Sequence, residues 1–116
     1  MHEASIMQSV FEIAFAQVPD DPATRIHRLR LRVGALAGVV PEALEFAFEA
    51  MKPETPAAHA RLEIERVPAR LACRACHGQF EPDFFPAACP TCGNWATEVR
   101  QGQELDLVLV EFVREH

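Results

Sequence analysis

Apolar residues recur at helical spacing in two segments of the chain. In the first segment they return every three or four positions and stop before Pro19, which predicts an amphipathic helix. These residues are Met7, Val10, Phe11, Ala14 and Val18. The segment 5–8 matches a capping box and would start this helix near Ile6, leaving a short arm that could instead form its first turn. The second stripe follows Pro41, a favoured first helical residue, and ends at Pro53. Its members are Leu44, Ala47, Phe48 and Met51.

Two other segments show the alternation of half-buried β-strands. Between Ile26 and Val33 one face carries three arginines, and the opposite face carries His27 and three apolar residues. We interpret the arginine row (Arg28, Arg30, Arg32) as a solvated sheet face, with a phosphate-binding surface as the alternative. The segment 61–67 alternates in the same way and predicts a second strand.

The last apolar segment differs from both alternating strands. From Leu105 to Val113 the chain is apolar at nearly every position, with Asp106 and Glu111 as the exceptions. Such a run is typical of a strand that is covered on both faces. It is therefore predicted to be the central strand of the sheet.

Length and charge narrow the class of protein. A chain of 116 residues with 49% apolar and 24% charged residues is a typical folded domain rather than a disordered one. The formal net charge of -6 argues against nucleic acid, whose binding depends on cationic side chains. No apolar run approaches the length of about 18 residues that a membrane span needs. The first residues also lack the basic and apolar regions of a signal peptide, so we expect a cytoplasmic protein with no membrane partner.

Four cysteines lie in two C-x2-C pairs, which are separated by twelve residues. They are Cys73, Cys76, Cys89 and Cys92. In a reducing cytosol such pairs indicate a metal site, and two of them supply the four thiolates that structural zinc prefers. Iron in a rubredoxin-like site fits the same spacing, whereas a thioredoxin-like redox role fits less well because neither pair opens a helix after a strand. His77 is interpreted as a bystander, since four thiolates already complete the shell, with a spare or exchanging zinc ligand as the alternative.

Residues around the cysteine pairs suit a zinc ribbon. Gly78 and Gly93 follow the pairs, where a tight turn needs a residue that tolerates positive φ. Apolar side chains available to pack around the metal are Leu71, Phe80, Phe84, Phe85 and Trp95. From Arg70 to Arg100 three arginines balance three carboxylates, so this segment is not a basic patch.

The order of elements is helix, strand, helix, strand, cysteine segment, strand. It predicts an α+β fold with a three-stranded sheet, two helices and an inserted four-cysteine zinc-ribbon subdomain. The predicted boundaries are 1–69 together with 101–116 for an α/β domain, and 70–100 for the zinc-binding domain.

The first three residues offer a second set of ligands. An imidazole at His2, the α-amino group of Met1 and the adjacent backbone nitrogens form a compact nitrogen set suited to planar Ni(II) or Cu(II). Glu3 could add an oxygen or orient the arm. On its own, a histidine at position 2 is more often only an exposed terminal residue.

Taken together, these features resemble the HypA/HybF family of hydrogenase-maturation nickel metallochaperones. The resemblance rests on the opening segment 1–5, Gly34 after the first strand, the segment 47–49 in the second helix, the twin cysteine pairs, and the segment 101–105 before the last strand. It spans almost the whole chain.

The resemblance implies a nickel donor rather than an enzyme. His2 would be a nickel ligand, Met1 a further ligand through its amine and Glu3 an assisting residue, while the four cysteines would hold structural zinc. In this family nickel passes, with a partner GTPase, to the precursor of the [NiFe]-hydrogenase large subunit, and some members also serve urease maturation. The alternative hypothesis is a zinc-ribbon adaptor that binds protein or nucleic acid and in which His2 is incidental.

Overall fold

The structure is a computed structural model that describes residues 2–115. These described residues form two helices and six strands, and the predicted α+β class is confirmed. In chain order the elements are α1 (Glu3–Ala16), β1 (Thr24–Gly34), α2 (Pro41–Met51), β2 (Arg61–Val67), β3 (Arg70–Cys73), β4 (Gln79–Phe80), β5 (Thr97–Gln101) and β6 (Leu105–Arg114). In the part of the chain that the structure describes, no helix is long and apolar enough to cross a membrane.

Contacts divide the chain into two units. The first contains the described residues of 1–32, 38–65 and 106–116, and the second contains 33–37 and 66–105. The second unit includes more residues than the predicted insertion 70–100, because hydrogen bonds join the segment 33–37 to residues on either side of that insertion. The N–H groups of Ala35 and Leu36 donate to the oxygens of Val67 and Gly102, at 2.9 and 2.6 Å. The assignment of one metal to each domain stays a prediction.

The helices bury most of the apolar stripes that the sequence predicts. Helix α1 buries Met7, Val10, Phe11 and Ala14, and α2 starts at Pro41 as predicted and buries Leu44, Ala47 and Phe48. The last member of each predicted stripe, Val18 and Met51, is only half-buried. The ring of Phe11 stacks on that of Phe48 in α2 with 5.7 Å between centroids. Helix α1 begins at Glu3 rather than near Ile6. The reason is that the Ser5 and Ile6 N–H groups donate to the backbone oxygen of His2, which places the arm in the first turn.

Strand β1, and not β6, lies at the centre of the first sheet. The strand order is β2-β1-β6, so the prediction that the apolar run 105–113 forms the central strand is wrong. Leu29 and Leu31 of β1 are at most 1% exposed, whereas Val108 of β6 is 42% exposed. The strand that carries the arginines can occupy the centre because neighbouring strands neutralise their charges.

Those arginines form an ion-pair ladder across the sheet. Arg28 contacts carboxylates of Glu63 in β2 at 3.3 Å and Glu111 in β6 at 2.9 Å. Arg30 also contacts Glu63, at 3.0 Å. Burial alone would raise the pKa of Glu63, but the hydrogen bonds from Arg30 and Arg28 hold it below its usual value. A row already paired with carboxylates is a poor phosphate-binding surface.

The side chain of His27 lies outside the buried face to which the alternation assigned it. Thr24 and Ile26 are buried, His27 is exposed, and burial resumes at Leu29. The alternation therefore changes phase between Ile26 and Leu29, and strict counting from Val33 backwards misplaces the histidine.

The segment that contains the four cysteines includes a second sheet, which the sequence pattern did not predict. Its order is β4-β3-β5, with β3 antiparallel to both neighbours. Leu71 is opposite Phe80 on one side and Val99 on the other, and Cys73 is opposite Thr97. These strands have two to five residues, too few for periodicity to register.

Candidate metal centres

The first C-x2-C pair lies in the turn between β3 and β4. Cys73 is the last residue of β3, and its N–H donates to the oxygen of Gly78 at 2.8 Å. The N–H of His77 donates back to the oxygen of Cys73 at 3.0 Å. The two hydrogen bonds close the turn and fix where its sulfurs lie.

The second pair repeats this arrangement residue for residue. The N–H of Cys89 donates to the oxygen of Asn94 at 2.9 Å, and the N–H of Gly93 donates to the oxygen of Cys89 at 2.8 Å. In both turns the first cysteine bonds the residues four and five positions later. The two turns, 73–78 and 89–94, are therefore equivalent. We call each of them a knuckle, the tight turn that a C-x2-C pair forms around a metal ion.

All four sulfurs converge on one point. The Sγ atoms lie within 4.8 Å of one another, with 3.6 Å between Cys73 and Cys92 and 3.7 Å between Cys76 and Cys89. A tetrahedral shell with zinc–sulfur bonds of about 2.3 Å has sulfur–sulfur edges of about 3.8 Å. The donor set and its spacing fit a zinc ion held by four thiolates.

Backbone N–H groups prepare the first sulfur of each knuckle for metal. The Cys92 amide, with that of Thr91, lowers the pKa of Cys89 to about 6. In the same way the Cys76 amide lowers the pKa of Cys73. Hydrogen bonds of this kind favour the thiolate, which is the form that binds metal.

In the second cysteine of each knuckle a backbone amide favours the thiolate, but hydrogen bonds with neighbouring sulfurs and burial raise the pKa. The Asn94 amide favours the thiolate of Cys92, but the neighbouring Cys73 and Cys89 sulfurs raise its pKa to about 11. Four thiolates so close together repel one another, and a divalent cation at their centre relieves that repulsion.

The four sulfurs differ in their access to water. Cys73 and Cys89 are 2% and 3% exposed, while Cys76 and Cys92 are exposed. Each knuckle thus buries its first cysteine, as the second unit also buries Leu71. The packing predicted for the other aromatic residues is wrong, because Phe84, Phe85 and Trp95 are 51–74% exposed and Phe80 is only half-buried.

The positive φ angles expected after each pair are at His77 and Gly93. Their φ values are 64° and 76°, and they occupy the same position of the two knuckles. The prediction for Gly93 is confirmed, and the prediction for Gly78 is wrong by one residue. A side chain in this left-handed conformation costs about 1 kcal/mol or more, which glycine avoids.

We therefore expect His77→Gly to leave the zinc-loaded protein at least as stable as the native chain. Relief of the left-handed strain outweighs or offsets the extra chain entropy of glycine, so the gain is up to about 1 kcal/mol. Urea unfolding of the zinc-loaded protein measures it. His77→Ala is the control, since it removes the imidazole and keeps the strain. Equal losses in both variants would contradict the backbone explanation and show that the imidazole itself stabilises the knuckle.

The N-terminal candidates lie in the first turn of α1. His2 is the N-cap, with φ -90° and ψ 92°, and its side chain is exposed. Glu3 is half-buried, and its Oε2 accepts a hydrogen bond from the Val40 N–H at 3.3 Å. Val40 is the N-cap of α2, so this bond joins the starts of the two helices. Met1 lies outside the described residues.

No preformed cage of side chains surrounds His2. Across residues 2–115, the four cysteines are the only group of three or more histidine, cysteine, aspartate or glutamate side chains close enough to share an ion. The backbone N–H groups of His2 and Glu3 precede the first helical hydrogen bond, which starts at Ser5. An ion at this place would be bound by one imidazole and main-chain nitrogens.

Comparison with known proteins matches nearly the whole chain to the family that the sequence resembles. Residues 1–112 match the family described as "Hydrogenase/urease nickel incorporation, metallochaperone, hypA". Hydrogenase maturation factor HypA of Picosynechococcus is 41% identical over 113 residues, which is 97% of this chain and 100% of that protein. The same factor of Geobacter sulfurreducens is 44% identical over 105 residues, covering 90% of this chain and 93% of the relative.

Solved structures agree with the sequence relatives. The solution structure of the Ni metallochaperone HypA from Helicobacter pylori matches with a TM-score of 0.65 and 25% identity, over 99% of this chain and 100% of that one. A second solution structure of a HypA protein matches with a TM-score of 0.69 at the same identity, over 99% and 98% of the two chains. With its full-length match and its relatives above 40% identity, this chain belongs to the HypA family.

Proposed function

We propose that this protein is a cytoplasmic nickel metallochaperone. In this proposal it binds Ni(II) at its N-terminus and delivers it, with a partner GTPase, to the precursor of the [NiFe]-hydrogenase large subunit. Family membership carries the proposal, since the matching family is described by nickel incorporation and its relatives as hydrogenase maturation factors. Maturation of urease is a second destination within that same family description.

The exposed first turn of α1 supports an exchangeable nickel site. The imidazole of His2, the backbone nitrogens beside it and the amine of Met1 provide the nitrogen set that planar Ni(II) favours. Ligands on an exposed helix start can be reached by an acceptor protein, whereas ligands in a closed cage cannot. An exposed helix start therefore suits a metal donor that must release its ion to another protein.

Glu3 is assigned an assisting role at this site. Its carboxylate accepts the hydrogen bond from Val40, the N-cap of α2, and so restrains the turn that presents His2. A carboxylate next to the imidazole also favours a bound cation electrostatically. We therefore place Glu3 as a positioning residue beside the nickel rather than as one of the planar nitrogen ligands.

The four cysteines are assigned to structural zinc. Four thiolates fill a tetrahedral shell and leave no open position for a substrate, so this centre would supply folding energy and not catalysis. The non-enzymatic assignment rests on family membership, because the matching family is described as a metallochaperone and its relatives as maturation factors. Of the alternative, a zinc-ribbon adaptor that binds protein or nucleic acid, the nucleic-acid form is disfavoured because Arg74 and Arg100 of this unit both pair with Glu98, at 3.5 and 2.8 Å.

Nickel titration of the zinc-loaded chain tests the proposal. We expect His2→Ala to lower Ni(II) affinity by roughly tenfold or more, since even groups that only support a metal ligand contribute roughly 10–100-fold. The absorption of planar Ni(II) should be lost with it, while circular dichroism and zinc content stay native. An extension placed before Met1 should act in the same direction by blocking the amine.

His59→Ala is the matched control, because His59 is another exposed histidine of the first unit. It should bind Ni(II) as the native chain does. Native affinity in both His2→Ala and the extended form would exclude the N-terminal site. An unfolded His2→Ala protein would contradict the division between an N-terminal cargo site and a structural zinc site.

A further inference from the structure

The second unit carries a groove that the metal chemistry does not use. Its volume is about 360 Å³. The residues that matter for its chemistry are Phe80, Glu81, Asp83, Phe84, Pro90 and Trp95. All of them lie between the start of β4 and the segment after the second knuckle, within one unit.

The aromatic walls of the groove are open to water. Phe84 is 74% exposed and Trp95 is 66% exposed, and the neighbouring Phe85 is 51% exposed. Large aromatic side chains left in water on one patch are typical of interaction sites, where they bury apolar area with little loss of side-chain entropy. Neither the packing of the zinc knuckles nor the core of this unit explains their position.

The rim of the groove is acidic and not neutralised. Within the part of the chain that the structure describes, no ion pair involves Glu81 or Asp83, whereas Arg74 and Arg100 are both engaged by Glu98. A zinc ion held by the four thiolates would add two further negative charges to the same unit. The electrostatic complement of this surface is a basic segment.

We propose that the groove docks a segment of a partner protein in which a large apolar side chain stands beside lysine or arginine. The apolar side chain fills the space between Phe84 and Trp95, and the cations meet Glu81 and Asp83. Pro90, inside the second C-x2-C pair, forms part of the wall, so the metal-bound knuckle shapes the site. The inference involves no nickel and is independent of the N-terminal proposal.

Trp95 provides a direct readout. It is the only tryptophan of a chain that has no tyrosine, so the indole emission reports on this groove alone. The probe is a blocked pentapeptide with one phenylalanine between two pairs of lysines, added to the zinc-loaded full chain. We expect a saturable change in emission, and none with peptides in which glutamates replace the lysines or alanine replaces the phenylalanine.

Substitutions then separate the two parts of the recognition. Phe84→Ala should weaken binding by roughly fivefold or more, as truncation of an aromatic anchor does. Glu81→Gln with Asp83→Asn should weaken it by roughly two- to tenfold and reduce its dependence on salt. Phe46→Ala is the matched control, since Phe46 is 77% exposed on α2 in the other unit, and Glu12→Gln with Glu45→Gln is the control for charge.

Two kinds of result would overturn the proposal, a failure to discriminate and self-association. One is an equal response to the lysine and glutamate peptides, or equal binding by the Phe84→Ala and Phe46→Ala proteins. The other is an emission change that depends on protein concentration without peptide and disappears in Phe84→Ala, because the groove would then be occupied by a second copy of the chain. Zinc content, measured in every variant, ensures that each comparison is made on folded protein.

Discussion

Cys73→Ser is expected to remove zinc from the protein and unfold the four-cysteine unit. Cys73 ends β3, is 2% exposed, and has its sulfur 3.6 Å from that of Cys92. A serine hydroxyl is a much poorer zinc ligand than a thiolate. Because the metal-bound site exists only in the folded chain, binding energy lost at the metal is lost from folding.

The size of this effect follows from the thermodynamics of small zinc sites. Structural zinc contributes about 10–16 kcal/mol in isolated zinc-finger peptides, more than the whole stability of most domains. The β4-β3-β5 sheet has strands of only two to five residues and a core centred on Leu71, so little else holds this unit together. Partial retention of its structure without metal is therefore not expected.

Zinc content and the emission of Trp95 measure the outcome, since Trp95 lies within this unit. Ala75→Ser is the matched control: it introduces the same hydroxyl between the two cysteines of the same knuckle, at an exposed position. It should retain one zinc per chain and native emission. A Cys73→Ser protein with full zinc occupancy and native emission would exclude the four-thiolate centre.

The parts of this molecule that were predictable from sequence are those set by local chemistry. Helical spacing identified both helices and their buried residues because an amphipathic stripe has one stable orientation toward a core. Cysteine spacing identified the convergent sulfurs because a C-x2-C turn has few geometries. Both signals are contained within a short stretch of chain.

The mistakes concern properties that depend on distant residues. An apolar run predicts burial, but it does not say which strand pairs on both sides, and here the ion pairs of Arg28 and Arg30 allow β1 to take the central place. The left-handed residue of the first knuckle is His77, although Gly78 stands beside it. The second knuckle supplied the missing signal, since Gly93 directly follows its last cysteine.

The proposed N-terminal nickel site illustrates a different limit. His2 is recognisable only through the resemblance of the whole chain to a family, because a single exposed histidine has no spacing to interpret. The structure adds the Glu3 to Val40 hydrogen bond, which links residues 37 positions apart and could not be read from either helix alone.

Gly34→Ala is expected to destabilise the protein by about 3 kcal/mol or more. A Cβ atom at Gly34 would lie 2.0 Å from the backbone oxygen of Gly102 and 2.1 Å from its carbonyl carbon. No rotamer change relieves a clash with backbone, so the chain itself must move. Overpacking in which side chains can still adjust typically costs about 1–3 kcal/mol, and this site has less freedom.

The surrounding hydrogen bonds explain why the backbone cannot move cheaply. The N–H of Gly34 donates to the Glu104 oxygen at 2.7 Å, and the N–H of Leu36 donates to the Gly102 oxygen at 2.6 Å. Gly102 has φ 116° and is itself held close to Ala69, since a Cβ there would lie 2.7 Å from the Ala69 Cα. Moving Gly34 away from Gly102 would break the hydrogen bonds of Gly34 and Leu36 or push Gly102 against Ala69.

Gly38→Ala separates this contact from the general effect of replacing glycine. Gly38 has φ 76°, but a Cβ added there would meet no atom within 4 Å beyond its chain neighbours, so its cost is the left-handed strain of about 1 kcal/mol. Urea unfolding of both zinc-loaded variants measures the difference. Equal midpoints would show that the close approach of Gly34 to Gly102 relaxes freely. A much lower midpoint for Gly34→Ala would show that the end of β1 requires glycine because no space is available for a side chain.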